Sequence, residues 1–224
     1  MAWFRRQAQE GPSQPFARLG VALAFVILLD GTYLLGGPFL RALLRQYSLV
    51  WSALWLALPL ADVWSRRGSL ACLGYRRTGW WRWYLWGMAA GALWRLADVL
   101  LATGVWGLGV HLGLREVIPW GAWLLNGLVI VPLLEETFFR GYLQAGLAHR
   151  LGPWPAILLQ AFLFASHPWH LAQGWVHWPS IFLFGVVTGW LRQRTDSLGG
   201  PWGAHGMANV LPEAVVRLAG LVWG

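Results

Sequence analysis

Two adjacent glutamates and an arginine interrupt an otherwise apolar and aromatic run, "VPLLEETFFRGYL", at residues 131–143. On a helix that turns about 100° per residue, Glu136 and Arg140 lie four apart on one face and can pair. Glu135 points about 100° away from that face. A structural staple needs only the Glu136–Arg140 pair. The extra carboxylate is what a general base requires, and burial beside a neighbouring charge tunes such a group. Two further runs carry similar chemistry. His167 sits late in an apolar stretch and precedes Pro168, which disturbs a helix. His205 and Asn209 in "HGMAN" are again four apart and share a helical face. A lone buried histidine is usually a satisfied structural residue. Groups of this kind on three separate apolar runs are harder to explain by packing, because ionisable residues within a membrane are costly and mark sites or partners.

The elements that must position these residues follow from composition. Of 224 residues, 57% are hydrophobic and 12% charged, about half the charge of an ordinary soluble domain. Apolar blocks lie near 19–37, 47–64, 80–106, 117–143, 153–172, 176–191 and 198–216. A helix needs roughly 20 residues to cross a bilayer, and in lipid the backbone must satisfy its own hydrogen bonds. The expected fold is therefore all-α, a polytopic transmembrane helical bundle of about seven spans. An eighth span follows if 80–120 holds two. Residues 1–224 read as a single membrane domain, with no polar segment long enough to build a soluble core.

The net charge is +8, and all 17 basic residues are arginine. They fall between the blocks rather than in one basic domain. Arg5, Arg6 and Arg18 precede the first block; Arg66, Arg67, Arg76, Arg77 and Arg82 separate the second and third; Arg150 follows the fourth, and Arg192 and Arg194 the sixth. The alternate loops carry only Arg41 and Arg45, then Arg115, then none. This alternation fits a cytoplasmic N-terminus under the positive-inside rule and argues against nucleic acid as a partner. The apolar stretch after the basic N-terminus lacks a signal-peptide cleavage pattern and reads as a retained span. Cys72, the one cysteine, excludes an intrachain disulfide. The remaining charges have local explanations. Asp30 and Asp62 lie near block ends, Arg95 can pair with Asp98, and Glu213 with Arg217. His170 and His177 read as loop residues between the fifth and sixth blocks.

Three motifs carry a resemblance. "EETFFR" follows E-E-x-x-x-R, and "HGMAN" follows H-x-x-x-N. "FLFASH" approximates F-x-x-x-H, with Leu163 at the aromatic position and Phe162 and Phe164 beside it. In this order, over about 117–213, they resemble the CAAX-protease and bacteriocin-processing (CPBP, or Abi) family. The resemblance implies an intramembrane endopeptidase of the type II CAAX prenyl protease kind. Glu135 and His167 would activate the attacking water, and His205 and Asn209 would hold the oxyanion. Glu136 and Arg140 would support the first glutamate. No cofactor is expected, with zinc as the alternative, since family members are often labelled metalloproteases and two histidines and two glutamates can bind that metal. Against zinc, the two glutamates lack the H-E-x-x-H spacing. The implied partners are a membrane protein or peptide substrate and the lipid bilayer, and the oligomeric state stays open. The lysine-free, arginine- and tryptophan-rich composition suggests a bacterial cell membrane. A proton-coupled carrier or a non-catalytic scaffold or immunity protein would also bury such groups.

Depth poses a problem for any common site. Glu135 and His167 each lie about 21 Å along their helices from the cytoplasmic ends, whereas His205 is only about 10 Å in when counted from Leu198. The seventh span must start earlier or tilt, or the site must lie nearer the cytoplasmic face.

Overall fold

The computed structural model describes residues 19–46, 48–65, 68–76, 78–104, 119–171 and 174–223. Arg5, Arg6, Arg18, Arg66, Arg67, Arg77 and Arg115, which carry much of the expected charge alternation, lie outside the described residues. The described chain is helical throughout, without a strand: α1 (Leu19–Leu35), α2 (Pro38–Gln46), α3 (Ser48–Ser65), α4 (Trp80–Gly104), α5 (Trp120–Leu151), α6 (Pro153–Ala165), α7 (Trp178–Thr195) and α8 (Gly199–Trp223). Seven of these coincide with the apolar blocks. The addition is α2, which is amphipathic rather than apolar and so gives no hydropathy signal. Its Arg41 donates from Nε and Nη2 to the carbonyls of Tyr33 (3.1 Å) and Leu34 (3.2 Å), capping the open end of α1.

Large apolar side chains such as Leu28, Leu35, Trp86, Leu93 and Leu100 face outward, as lipid contact requires. Among the described residues, α5 alone is both long and apolar enough to cross a membrane by that test. α1 and α6 are apolar but have 17 and 13 residues. α4 and α8 are 25 residues each, and glycines and charged residues dilute their hydropathy.

The tightest seam joins α4 to α8. A Cβ at Gly87 would lie 2.1 Å from the Gly200 carbonyl oxygen, and one at Gly91 would lie 2.1 Å from that of Ala204. From the other side, a Cβ at Gly203 would meet the Tyr84 oxygen at 2.0 Å. Gly87 and Gly91 are four apart, as are Gly199 and Gly203, the small-xxx-small pattern that lets membrane helices touch backbone to backbone.

The start of α8 resolves the depth problem. The helix does not begin earlier than the apolar block; it begins inside the bundle. Ser197, Leu198, Gly199 and Gly200 are all buried. Leu198 packs beside Gly141 of α5, and its N–H donates to the Gly74 carbonyl (3.0 Å). Gly141 is ten residues short of the end of α5, so α8 starts about 15 Å deeper than α5 ends. The short helical turn Leu70–Leu73, closed by Gly74, packs beneath this part of α5. There Gly74 (φ +97°) brings its Cα against the Arg192 guanidinium, where a Cβ would lie 2.9 Å from Nε. Arg192 and Arg76 both pair with Asp196, at 3.0 and 2.6 Å, closing this end with charge.

Candidate active site

Helix α5 supplies the acidic pair, and it is not a regular α-helix. π-helical turns span Asn126–Ile130 and Thr137–Leu143, on either side of Glu135–Glu136. Such turns disturb the regular i→i−4 ladder and often occur at functional sites. In the first, the Leu128 carbonyl accepts from Trp202 Nε1 (2.8 Å) and the Gly127 carbonyl from Asn209 Nδ2 (3.4 Å). These bonds flank His205 along α8 and fix its register against α5.

The histidine ring then enters between the two carboxylates. His205 Nδ1 lies 2.7 Å from Glu136 Oε1, and His205 Nε2 lies 3.7 Å from Glu135 Oε2. The divergence of adjacent helical residues explains how two neighbours reach opposite nitrogens of one ring. Glu136 Oε1 also accepts from Arg140 Nη1 (3.0 Å), and Arg140 Nη2 donates to Thr188 Oγ1 of α7 (2.7 Å). The Thr188 hydroxyl in turn donates a hydrogen bond to the Phe184 carbonyl (2.9 Å). Arg140 also stands 4.0 Å over the Phe164 ring of α6. Glu136, Arg140 and Thr188 are fully buried, and Glu135 is 8% exposed.

A carboxylate only accepts hydrogen bonds, so the short contact to Glu136 puts the proton on His205 Nδ1. The 3.7 Å separation from Glu135 is too long for a direct hydrogen bond. It suits two groups that share one water, each at ordinary hydrogen-bond distance.

From below, Tyr75 reaches Thr137, the residue after Glu136, by a short hydroxyl–hydroxyl contact. Thr137 donates to the Leu133 carbonyl, so Tyr75 is the donor in the pair. Burial raises the Tyr75 phenol above its ordinary value, and the Glu136 carboxylate adds to the effect. The hydroxyl therefore keeps its proton at neutral pH.

A cavity of about 460 Å³ opens on the α4, α7 and α8 side of His205. His205 and Asn209 line its inner part together with His170, Phe164 and Phe184. Its outer part is polar. Arg95 Nη1 pairs with Asp98 Oδ2 at 2.5 Å, and Ser180 donates to the other Asp98 oxygen. His177 and Glu213 complete that rim.

Of the residues singled out in sequence, Glu135, Glu136, Arg140 and His205 meet, and Asn209 stands one turn beyond. His167 is buried behind them: its ring packs edge-on to Trp55 (4.5 Å between centroids), His170 (6.1 Å) and Phe139 (6.4 Å). Several residues with only local explanations in sequence share the cavity: Arg95, Asp98, His170, His177 and Glu213. Thr188 and Gln144 gave no sequence signal strong enough to notice. Gln144 does lie four residues after Arg140, on the same face, and donates to the Gly189 carbonyl (2.9 Å).

A catalytic zinc needs three protein ligands. Glu135 Oε2 and His205 Nε2 face a common point, whereas Glu136 is engaged through Oε1 by Arg140 and His205 Nδ1. Among the described residues no three His, Cys, Asp or Glu side chains group as metal ligands.

No curated protein and no solved structure matches the chain. Residues 116–211 match the family described as type II CAAX prenyl endopeptidase Rce1-like. That segment holds both glutamates, Arg140, His167, His205 and Asn209. The three motifs lie in order within this segment and inside a helical bundle, so residues 116–211 are similar to the CAAX-protease family, whose members are integral membrane proteins.

Proposed function

We propose that the protein is an intramembrane endopeptidase in which Glu135 activates a water without a metal. The observation that carries this reading is the His205 ring held between two carboxylates beside a cavity, one carboxylate neutralised by Arg140 and the other not. Glu136 orients His205 through Nδ1, as carboxylates orient ligating and catalytic histidines elsewhere. Glu135 and His205 Nε2 hold the water. As its oxygen attacks the peptide carbonyl carbon, one proton passes to Glu135. The negative charge on the carbonyl oxygen is met by Asn209 Nδ2 and by His205 Nε2–H in its imidazolium form. The C–N bond then breaks, the proton on Glu135 moves to the leaving amine, and the carboxylate is restored.

In this reading His167 stands one ring behind the cavity, packed on Trp55, Phe139 and His170. The substrate is a peptide or membrane protein presented within the bilayer. The host is a bacterial inner membrane, with the N-terminus cytoplasmic.

The test is cleavage of a reporter peptide library by purified, detergent-solubilised protein. Wild type is compared with Glu135→Gln at matched folding, each with and without a strong zinc chelator. We expect cleavage by wild type that is indifferent to the chelator, and a loss of at least about 100-fold in Glu135→Gln. Activity lost to the chelator and restored by zinc would sink the metal-free mechanism. A library left intact by wild type would sink the peptidase reading.

A further inference from the structure

His170 has no role in the mechanism above, yet it lines the same cavity as His205 and Asn209. It sits on the single helical turn Pro168–Leu171 between α6 and α7. Its Nδ1 lies 2.5 Å from the Phe164 carbonyl oxygen. A carbonyl oxygen can only accept, so Nδ1 carries the proton and the neutral ring keeps its acceptor at Nε2. The ring is also fixed in direction. It packs on Phe164 at 4.3 Å between centroids, and Phe164 in turn packs on His205 (5.9 Å) and under Arg140 (4.0 Å). One phenyl ring thus sets the spacing between His170, His205 and the arginine.

A peptide group presents a C=O and an N–H pointing in opposite directions. The cavity offers donors for the carbonyl at His205 and Asn209, and one neutral acceptor at His170. Resting on the peptidase reading, we propose that His170 is a further substrate-contacting residue, whose Nε2 accepts a hydrogen bond from a main-chain N–H of the bound peptide next to the scissile bond. The ligand class is an extended main chain, so the contact fixes backbone register and is indifferent to side-chain identity. The buried tautomer suits the task, because an imidazolium would face that N–H with a second donor.

The experiment is a double-mutant cycle on the reporter peptide that wild type cleaves. Wild type, His170→Gln and His170→Phe act on that peptide and on depsipeptide twins in which an ester oxygen replaces one flanking N–H at a time. We expect His170→Phe to lower kcat/KM on the all-amide peptide by about 10–100-fold, as for one lost hydrogen bond to the transition state. His170→Gln, which keeps an acceptor, should recover part of that loss. One depsipeptide should be cleaved more slowly by wild type and no slower still by His170→Phe. Equal losses on every substrate would mark a packing role and overturn the proposal.

Labelling with diethyl pyrocarbonate separates this question from proteolysis itself. Carbethoxylation of His170 at a rate near that of the exposed His149, slowed by the peptide pool in Glu135→Gln, supports a ligand-facing nitrogen even if wild type cleaves nothing. Labelling of His170 unaffected by the pool overturns it.

Discussion

Two ion pairs in this molecule have the same sequence spacing and opposite surroundings. Glu136 and Arg140 sit at i and i+4 with both side chains fully buried, at 3.0 Å. Glu213 and Arg217 have that spacing too, but the glutamate is 31% exposed. The inner pair is one link in a chain running from His205 through Glu136 and Arg140 to Thr188. The outer pair leans on aromatic faces, with the Arg217 guanidinium about 5 Å from the rings of Trp120 and Trp123. The contrast shows that spacing creates the opportunity to pair, while the helices packed around a pair decide what it does.

Four variants can break or sharpen this contrast. Arg140→Leu should be the most damaging, since it leaves a carboxylate buried without its arginine; such losses cost about 3–5 kcal/mol. Thermal unfolding in detergent should show a large drop for this variant and little for Arg217→Ala. Equal drops would erase the distinction. Glu136→Gln keeps the shape and one acceptor but leaves the Arg140 cation without its paired carboxylate, so its rates are compared at matched folding. Loosened orientation of His205 should lower kcat about 10–100-fold, the usual penalty for losing a group that orients a histidine. Wild-type kcat in that variant would remove Glu136 from the mechanism. Thr188→Val deletes one hydrogen bond to a buried cation and should cost about 1.5–3 kcal/mol, read as a smaller shift in the unfolding midpoint. Arg217→Ala should give the smallest change in the unfolding midpoint, since the Glu213 it leaves behind is partly exposed to water, and should leave cleavage rates at the wild-type value.

Much of the architecture was legible because apolar length is a local property. Seven helices could be read from runs of residues, and Pro168 marked a real break, since α6 ends at Ala165. The amphipathic α2 escaped because its signal lies in periodicity over only 9 residues. The convergence of Glu135, Glu136, Arg140 and His205 could be suspected from residue types, and the buried entry of α8 could not. That entry depends on the glycine seam with α4 and on the Gly74 carbonyl, both remote in sequence. The same limit explains Arg95, Asp98 and Glu213. Each has a partner three or four residues away, which looked like a sufficient account of its charge. Only the crossing of α4, α7 and α8 turns them into the rim of one cavity.

The inner network also has an order in time. Arg140 follows Glu136 by four residues, so their pair can close as soon as that turn of α5 forms. His205 lies 69 residues downstream of Glu136, and at about 5–20 residues per second it leaves the ribosome roughly 3–14 seconds later. For that interval the nascent α5 enters the membrane with its arginine as an internal counter-ion for Glu136. The arginine is therefore the first partner Glu136 meets, and the histidine the last. Until α8 docks, both glutamates are already in place while His205 has not arrived, so the inner network is completed only by the final helix.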